Sequence, residues 1–169
     1  MTIRAFLPRD REKLQRILRQ RDTFTQEEIR VALELLDEAS SHPEREEYWV
    51  FCAVDAGEEP VGYICFGPIP MTEAAYDLYW IAVEKGASRR GIGAGLVRFM
   101  EERVRQRGAT QIYVDTSSTA PYEVARAFYE KSGYRVVCTL PDFYREGDHK
   151  VLFVKRFSKP AGRLPERCP

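Results

Sequence analysis

The sequence predicts one domain of mixed α/β architecture, whose sheet is antiparallel in its first half. Apolar residues make up 44% of the 169 residues, which is enough for one compact core. Strand-like and helix-like apolar patterns alternate along the chain, and the first two long strands are separated only by a short turn. We expect the domain to span residues 1–157 and residues 158–169 to form a peripheral or disordered tail.

The first third predicts a short strand at residues 3–6 and then two helices. The apolar stripes of the helices are Leu14, Ile17 and Leu18, followed by Ile29, Ala32, Leu33 and Leu36. Thr25 and Glu28 have the spacing of a capping box, so the second helix begins at Thr25.

The middle of the chain predicts an antiparallel hairpin followed by a strand and a helix. Residues 48–54 and 61–67 are apolar runs joined by the turn-rich segment DAGEEP, and a third run, LYWIAV, ends at Val83. Leu96, Met100 and Val104 then mark a helix that Gly108 closes.

The last third predicts a buried strand at residues 111–115, a helix at 121–132 and two strands at 134–140 and 150–157, flanking a loop at 141–149. One face of this helix carries Val124, Ala127 and Phe128, which we expect to pack on the sheet. The other carries Tyr122, Ala125, Arg126 and Tyr129.

Charge and cysteine content exclude several classes of function. Lysine plus arginine and aspartate plus glutamate both total 26, so no net charge attracts nucleic acid or an anionic membrane. No apolar run is long enough to span a bilayer, and the N-terminus lacks the apolar stretch of a secretory signal. The four cysteines are too widely spaced for a zinc site or a disulfide scaffold. We expect a cytoplasmic protein.

The segment SRRGIGAG, residues 88–95, lies where a strand has ended and a helix begins, a position that favours binding of an anion. A nucleoside-triphosphate loop is excluded because no Gly-Lys-Ser/Thr follows. A nicotinamide-dinucleotide turn is a weaker alternative. Residues 84–90 separate the strand from the first glycine, and Leu96 stands at the third glycine position of that motif.

Two segments, WIAVEKGASRRGIGAGL and ARAFYEKSGY, resemble the signature motifs of the GNAT superfamily of N-acetyltransferases. The strand order agrees with that family from Ile3 to Phe157. The resemblance implies that the glycine turn binds the pyrophosphate of acetyl-coenzyme A, through Ser88, Arg89, Arg90, Gly91, Ile92, Gly93 and Ala94. Ser88 and Lys85 depart from the usual residues, so we carry over no contacts from those two side chains.

The resemblance also implies roles around the transferred acetyl group. Backbone N–H groups of Ile81, Ala82 and Val83 stabilise the oxyanion, and Tyr129 protonates the leaving sulfur. A phenol of pKa about 10 can donate to a thiolate whose conjugate acid has a pKa of about 8.5. Arg126 is a further cofactor-binding candidate, with an ion pair to Glu123 or Glu130 as the alternative.

The general base is less clearly indicated. Asp115, at the end of a buried strand, and Asp77, at the start of the preceding one, are both candidates, and we take Asp115 as the catalytic one. His149 and His42 lie in polar segments typical of solvated histidines. The first two helices and loop 141–149 should form the acceptor pocket, and an aromatic wall could come from Tyr76, Trp80, Phe143 and Tyr144.

The sequence therefore predicts an acetyl-coenzyme A-dependent N-acetyltransferase that uses no metal and acts on a primary amine of a small molecule or peptide by direct attack. A non-catalytic acyl-coenzyme A-binding module is the alternative, and a nicotinamide-dinucleotide oxidoreductase is a weaker third. We expect no nucleic-acid or membrane partner. A homodimer is expected, through a strand edge at residues 151–155.

Overall fold

The computed structural model describes residues 1–87 and 90–157. Within these residues it contains seven strands and four α-helices, in the following order: β1 (Thr2–Ala5), α1 (Arg11–Arg19), α2 (Gln26–Ser41), β2 (Trp49–Val54), β3 (Pro60–Pro68), β4 (Ala75–Val83), α3 (Ile92–Gln106), β5 (Gln111–Ser117), α4 (Glu123–Lys131), β6 (Arg135–Arg145) and β7 (Asp148–Arg156). The predicted element order and the mixed α/β class are confirmed.

The strands form one sheet in the order β1-β2-β3-β4-β5-β7-β6. Neighbours pair antiparallel except for β4 and β5, which are parallel because α3 connects them as a crossover helix. A dinucleotide fold, which needs a mostly parallel sheet, does not have this topology.

Helices cover the sheet on both faces. Leu14, Ile17 and Leu36 of α1 and α2 pack on one face against Cys52 and Tyr63. On the opposite face α3 packs against alternate residues of β3, β4 and β5, and α4 adds Tyr129 to the same core. The apolar stripes of α1, α2 and α3 are buried as predicted.

The capping box at the start of α2 is present. Thr25 Oγ1 accepts a 3.2 Å hydrogen bond from the Glu28 backbone N–H, and Glu28 Oε2 accepts a 2.7 Å hydrogen bond from the Thr25 N–H. At the end of α3, Gly108 adopts a φ of 85°, a conformation that glycine adopts without strain.

The C-terminal strands differ from the prediction in two ways. The expected loop at residues 141–149 is mostly strand, because β6 continues to Arg145 and joins β7 through a short turn at Gly147. β7 lies between β5 and β6, so residues 151–155 are inside the sheet and not at its edge. The edge strand at this end of the sheet is β6, which is exposed along its length.

No described helix is both long enough and apolar enough to traverse a bilayer. The predicted tail, residues 158–169, lies outside the described residues.

Candidate active site

The central feature of the site is a gap between β4 and β5. The two strands pair only where Ala75–Asp77 lie beside Gln111–Tyr113. Beyond that point β4 continues to Val83 and β5 to Ser117, and neither strand pairs with the other. The strands therefore diverge, and backbone groups on the β5 side of β4 are left for another partner.

Backbone alternation identifies which groups of β4 face the gap. The Glu84 N–H donates a 2.8 Å hydrogen bond to the Val61 carbonyl on the β3 side. Because successive residues of a strand point their N–H groups in opposite directions, the N–H of Ala82 also faces β3. The N–H groups of Ile81 and Val83 face the gap. Of the three expected donors, these two are directed toward it.

The N-terminus of α3 supplies a second set of free donors. The first intrahelical bond runs from the Gly95 N–H to the Gly91 carbonyl, so the N–H groups of Ile92, Gly93 and Ala94 have no partner within the helix. Gly91 precedes the helix with a φ of 76°. Arg90 is exposed beside it. Ser88 and Arg89, also expected here, lie outside the described residues.

Gly93 lies where α3 approaches α4. A Cβ atom at this position would lie 3.5 Å from the Phe128 ring, which is an ordinary van der Waals distance. The protein therefore has room for alanine at residue 93. A requirement for glycine there would come from a ligand that approaches the backbone.

Tyr129 is buried on the α3 and α4 side of the sheet, with its ring 5.7 Å from Phe153 and 6.1 Å from Tyr134. Its hydroxyl has no hydrogen-bond partner among the described residues. Burial, with a smaller effect of the Asp115 charge, raises the pKa of Tyr129 above its usual value of 10. The side chain is thus a protonated phenol that is free to donate.

The predicted packing face of α4 is correct at Phe128 and wrong at Val124, and it leaves out Tyr129. Val124 is 81% exposed, whereas Tyr129 is 7% exposed. Phe128 and Ala125 are half-buried against the core. Within α4 the side that faces the core therefore runs through Ala125, Phe128 and Tyr129, and Val124 faces away from it.

Arg126 connects α4 to the end of β5. Its Nη1 donates hydrogen bonds of 2.7 Å and 2.9 Å to the carbonyl oxygens of Ser117 and Thr119. These contacts hold the loop between β5 and α4. No ion pair with Glu123 or Glu130 is present among the described residues.

Asp77 and Asp115 point to the face opposite Tyr129. Tyr76 and Leu78 flank Asp77 and are buried under α3, and Val114, beside Asp115, lies in the same core. Burial, followed by the Asp115 charge, raises the pKa of Asp77 from 3.8 to about 6. Asp77 therefore has a basicity suited to proton transfer near neutral pH.

Asp115 is held on both oxygens. Tyr144 donates a 2.8 Å hydrogen bond to Oδ2, and Lys150 Nζ lies 3.2 Å from Oδ1. Asp77 accepts no hydrogen bond from the described residues. Of the two candidates, Asp77 is the freer base, and its charge state depends on Asp115.

The other predicted site residues are spread over the molecule. Tyr76 is buried on the α3 side, 5.7 Å from the Trp49 ring, and Trp80 packs on the α2 side, so the expected aromatic wall of four residues does not form. Phe143 and Tyr144 are neighbours on exposed β6. His149 Nδ1 accepts the Asp142 N–H, at 2.9 Å.

Comparison with known proteins identifies the family. The sequence profile of the GNAT acetyltransferase family matches residues 11–134. A protein assigned to that family from Desulfovibrio desulfuricans is 35% identical, with a TM-score of 0.87 over 92% of this chain and 98% of that chain. No protein among the curated sequences matches.

Two other solved structures are similar over nearly their full length. The aminoglycoside 6'-N-acetyltransferase from Enterococcus faecium is 25% identical, with a TM-score of 0.69 over 95% of this chain and 99% of that chain. The ribosomal-protein-S18-alanine N-acetyltransferase from Escherichia coli shares the fold, at 16% identity and a TM-score of 0.75 over 96% and 97%. The profile match and the Desulfovibrio relative show that this chain is an acetyltransferase of the GNAT family.

Proposed function

We propose that this protein transfers an acetyl group from acetyl-coenzyme A to a primary amine by direct attack. One observation carries the proposal: β4 and β5 diverge just beyond Asp77, and the side chains of Tyr129 and Asp77, neither hydrogen-bonded to a described residue, lie on opposite faces of the sheet. An acid on the donor side and a base on the acceptor side are what direct transfer requires.

The residues at the gap suit acetyl-coenzyme A. The unpaired N–H groups of Ile92, Gly93 and Ala94 at the positive end of α3 suit a pyrophosphate, together with Arg90. The peptide-like arm of coenzyme A would pair with the free edge of β4 as a further strand does. A complex of coenzyme A with an aminoglycoside 6'-N-acetyltransferase, 24% identical, supports the same ligand class. When bound, acetyl-coenzyme A supplies the acetyl group as a reactive thioester.

Three groups of the chain act on the reacting atoms. Asp77 accepts the proton of the attacking amine, and the Ile81 and Val83 N–H groups donate to the carbonyl oxygen as it gains negative charge. Preorganised donors of this kind contribute about 3 kcal/mol each to stabilising the transition state. Tyr129 donates its proton to the departing sulfur. Asp115 acts on Asp77 through its charge.

We infer that the acceptor is a small cationic amine. Asp77 and Asp115 lie on one face of the sheet and interact through their charges. Lys150 is already paired with Asp115. A surface rich in carboxylates attracts an ammonium group, and the aminoglycoside 6'-N-acetyltransferases among the similar structures act on such amines.

Calorimetric titration tests the cofactor assignment. Acetyl-coenzyme A should bind the purified protein, and NADH should not. Binding of NADH without acetyl-coenzyme A would overturn the proposal. A cytoplasmic location is part of the proposal, because Cys52, Cys65 and Cys138 are all unpaired, as is usual in a reducing compartment.

We also propose that two copies associate through β6. Val136, Val137, Leu140 and Phe143 of this edge strand are 42–54% exposed. Antiparallel pairing of two copies about residues 138 and 139 would bring Arg135 near Asp142 of the partner subunit and Val137 near Leu140 of the partner subunit, on either side of the irregularities at 136–138 and 140–145. Charges and apolar side chains are therefore complementary to a second copy.

Sedimentation equilibrium tests this interface. The protein should be dimeric, and Arg135→Glu should shift it to monomer because a glutamate would face Asp142 of the partner subunit. Lys131→Glu, on α4 and outside β6, is the control and should remain dimeric. A monomeric unmodified protein, or an Arg135→Glu variant that dimerises equally well, would contradict the proposal.

A further inference from the structure

A hydrogen bond joins α2 to the turn before α4, and these two helices lie on opposite faces of the sheet. The Tyr122 hydroxyl donates to Oε1 of Glu28, although 94 residues separate them. Glu28 belongs to the first turn of α2, and Tyr122 lies in the turn between β5 and α4. Because α2 and α4 lie on different faces and Tyr122 follows the end of β5, this bond bridges the two faces of the sheet near that end.

The segment that contains Glu28 is also attached to the other side of the gap. We call residues 20–28 the strap. They run from the end of α1 into the first turn of α2. At its first end the Lys85 N–H, just after β4, donates a 3.4 Å hydrogen bond to Gln20 Oε1. Nearby on α1, Lys13 makes a 2.6 Å ion pair with Glu84. The strap is thus tied to the end of β4 at one end and to the end of β5 at the other.

The middle of the strap lies against β4. The Phe24 ring is 5.5 Å from the Trp80 ring, and Trp80 Nε1 is buried without a hydrogen-bond partner in the described part of the chain. Burying an unpaired N–H is unfavourable, so such a donor indicates a place where a ligand atom or water completes the site. The strap therefore covers the acceptor side of the gap at its wide end.

Glu28 is suited to hold the strap because each of its oxygens has a separate role. Oε2 accepts hydrogen bonds of 2.7 Å from the backbone N–H and from the hydroxyl of Thr25, which cap α2. Oε1 accepts the Tyr122 hydroxyl. The carboxylate thus fixes the start of α2 and ties it to the turn before α4.

We propose that the Tyr122–Glu28 hydrogen bond is a latch that holds the strap over the acceptor end of the gap and thereby positions the wall against which the amine acceptor binds. The proposal rests on the acetyltransferase function proposed above and assigns Tyr122 and Glu28 as positioning residues. Neither reacts with the substrates. Their contact sets the affinity for the acceptor and leaves the cofactor side, on the opposite face, unaffected.

Tyr122→Phe removes the latch hydroxyl and keeps the ring. The Michaelis constant for the amine acceptor should rise about tenfold, which corresponds to about 1.4 kcal/mol, while kcat and the Michaelis constant for acetyl-coenzyme A stay within about twofold. Tyr48→Phe is the matched control, because Tyr48 is a partly buried tyrosine that packs on Tyr79, away from the strap.

Hydrogen–deuterium exchange measures the opening of backbone amides in the strap and does not depend on turnover. In Tyr122→Phe, amides of residues 20–28 should exchange at least about fivefold faster, with β3 and α3 unchanged. Unchanged exchange in the strap would overturn the latch even if the enzyme is active, whereas absence of turnover in every protein would count against the proposed function alone. A Michaelis constant for the acceptor that does not rise in Tyr122→Phe would also overturn it.

Discussion

Tyr144 donates a 2.8 Å hydrogen bond to Asp115 from β6, across the intervening strand β7. Lys150 forms an ion pair with the other oxygen of Asp115, so both carboxylate oxygens have a partner. Asp77, on the same face, has no hydrogen bond from the described residues, and its pKa is raised to about 6. The two aspartates therefore have different roles, although the sequence alone does not separate them.

Asp77→Asn should lower kcat/KM for the amine by about 10²- to 10⁴-fold, the usual contribution of a general base. Asp115→Asn should lower it by less than about tenfold, because Asp115 does not take the proton. Initial rates of coenzyme A release measure both. An Asp115→Asn variant that loses more activity than Asp77→Asn would return the base role to Asp115.

The pH dependence of the reaction should report the pKa of Asp77. The rate should rise with pH through about 6, where Asp77 loses its proton, and this limb should disappear in Asp77→Asn. Asp115→Asn removes a negative charge that raises this pKa, so the limb should move to lower pH. If the rising part of the pH–rate profile lies at the same pH in Asp115→Asn and in the native protein, the two carboxylates do not interact.

Asp77 should also make stability depend on pH. The folded protein binds the Asp77 proton more tightly than the unfolded chain, because the pKa is about 6 in the fold and 3.8 ordinarily. Stability is therefore lost as pH rises from about 4 to 6. Asp77→Asn avoids this loss and should unfold at a higher urea concentration than the native protein at pH 8, with no difference below pH 4.

The control for that experiment is Glu73→Gln, since Glu73 is exposed and makes no ion pair with any described residue. Its midpoint should follow that of the native protein at every pH. A difference between native protein and Asp77→Asn that stays constant from pH 4 to 8 would show that burial does not perturb Asp77.

Tyr129→Phe should slow kcat by about 10²-fold or more while acetyl-coenzyme A binds with nearly unchanged affinity. The melting temperature should not fall, because the hydroxyl bonds to no described residue. Tyr134→Phe is the control. It removes the hydroxyl of the ring next to Tyr129, and the variant should retain activity. Stopped-flow rates with saturating substrates check the effect, and an unaltered kcat in Tyr129→Phe would remove its role as the acid.

Gly93→Ala separates the needs of the fold from those of the ligand. The new methyl group meets only ordinary contacts, and alanine favours a helix more than glycine does, so stability should be unchanged or higher. Binding of acetyl-coenzyme A should weaken about tenfold if its pyrophosphate contacts this backbone. Gly86→Ala, where a Cβ atom meets nothing within 4 Å, is the control. Calorimetry showing equal affinity for both variants would argue against a pyrophosphate site at α3.

Local signals predicted much of this molecule. The Thr25 and Glu28 spacing located the start of α2, and Gly108 marked the end of α3, because caps and helix stops depend on neighbouring residues. The position of Asp77 between Tyr76 and Leu78 in an apolar strand indicated a carboxylate with a shifted pKa. Its raised pKa depends also on Asp115, which only the parallel pairing of β4 and β5 brings near.

Features that depend on distant contacts could not be predicted. β6 extends to Arg145 because β7 pairs with it, whereas Pro141 and Asp142 alone indicate a loop. The buried face of α4 was misassigned in part because helical periodicity shows which residues share a face but not which of them the core covers. The Tyr122–Glu28 contact has no local signal, since it joins residues that are 94 positions apart in the sequence.

The most direct test of the central claim is coenzyme A release from acetyl-coenzyme A with a panel of cationic small amines, compared between the native protein and Asp77→Asn. We predict release above the rate without acceptor for at least one amine, reduced by about 10²-fold or more in the variant. Tight binding of acetyl-coenzyme A with no release for any amine, or equal release by both proteins, would contradict acetyl transfer with Asp77 as the base.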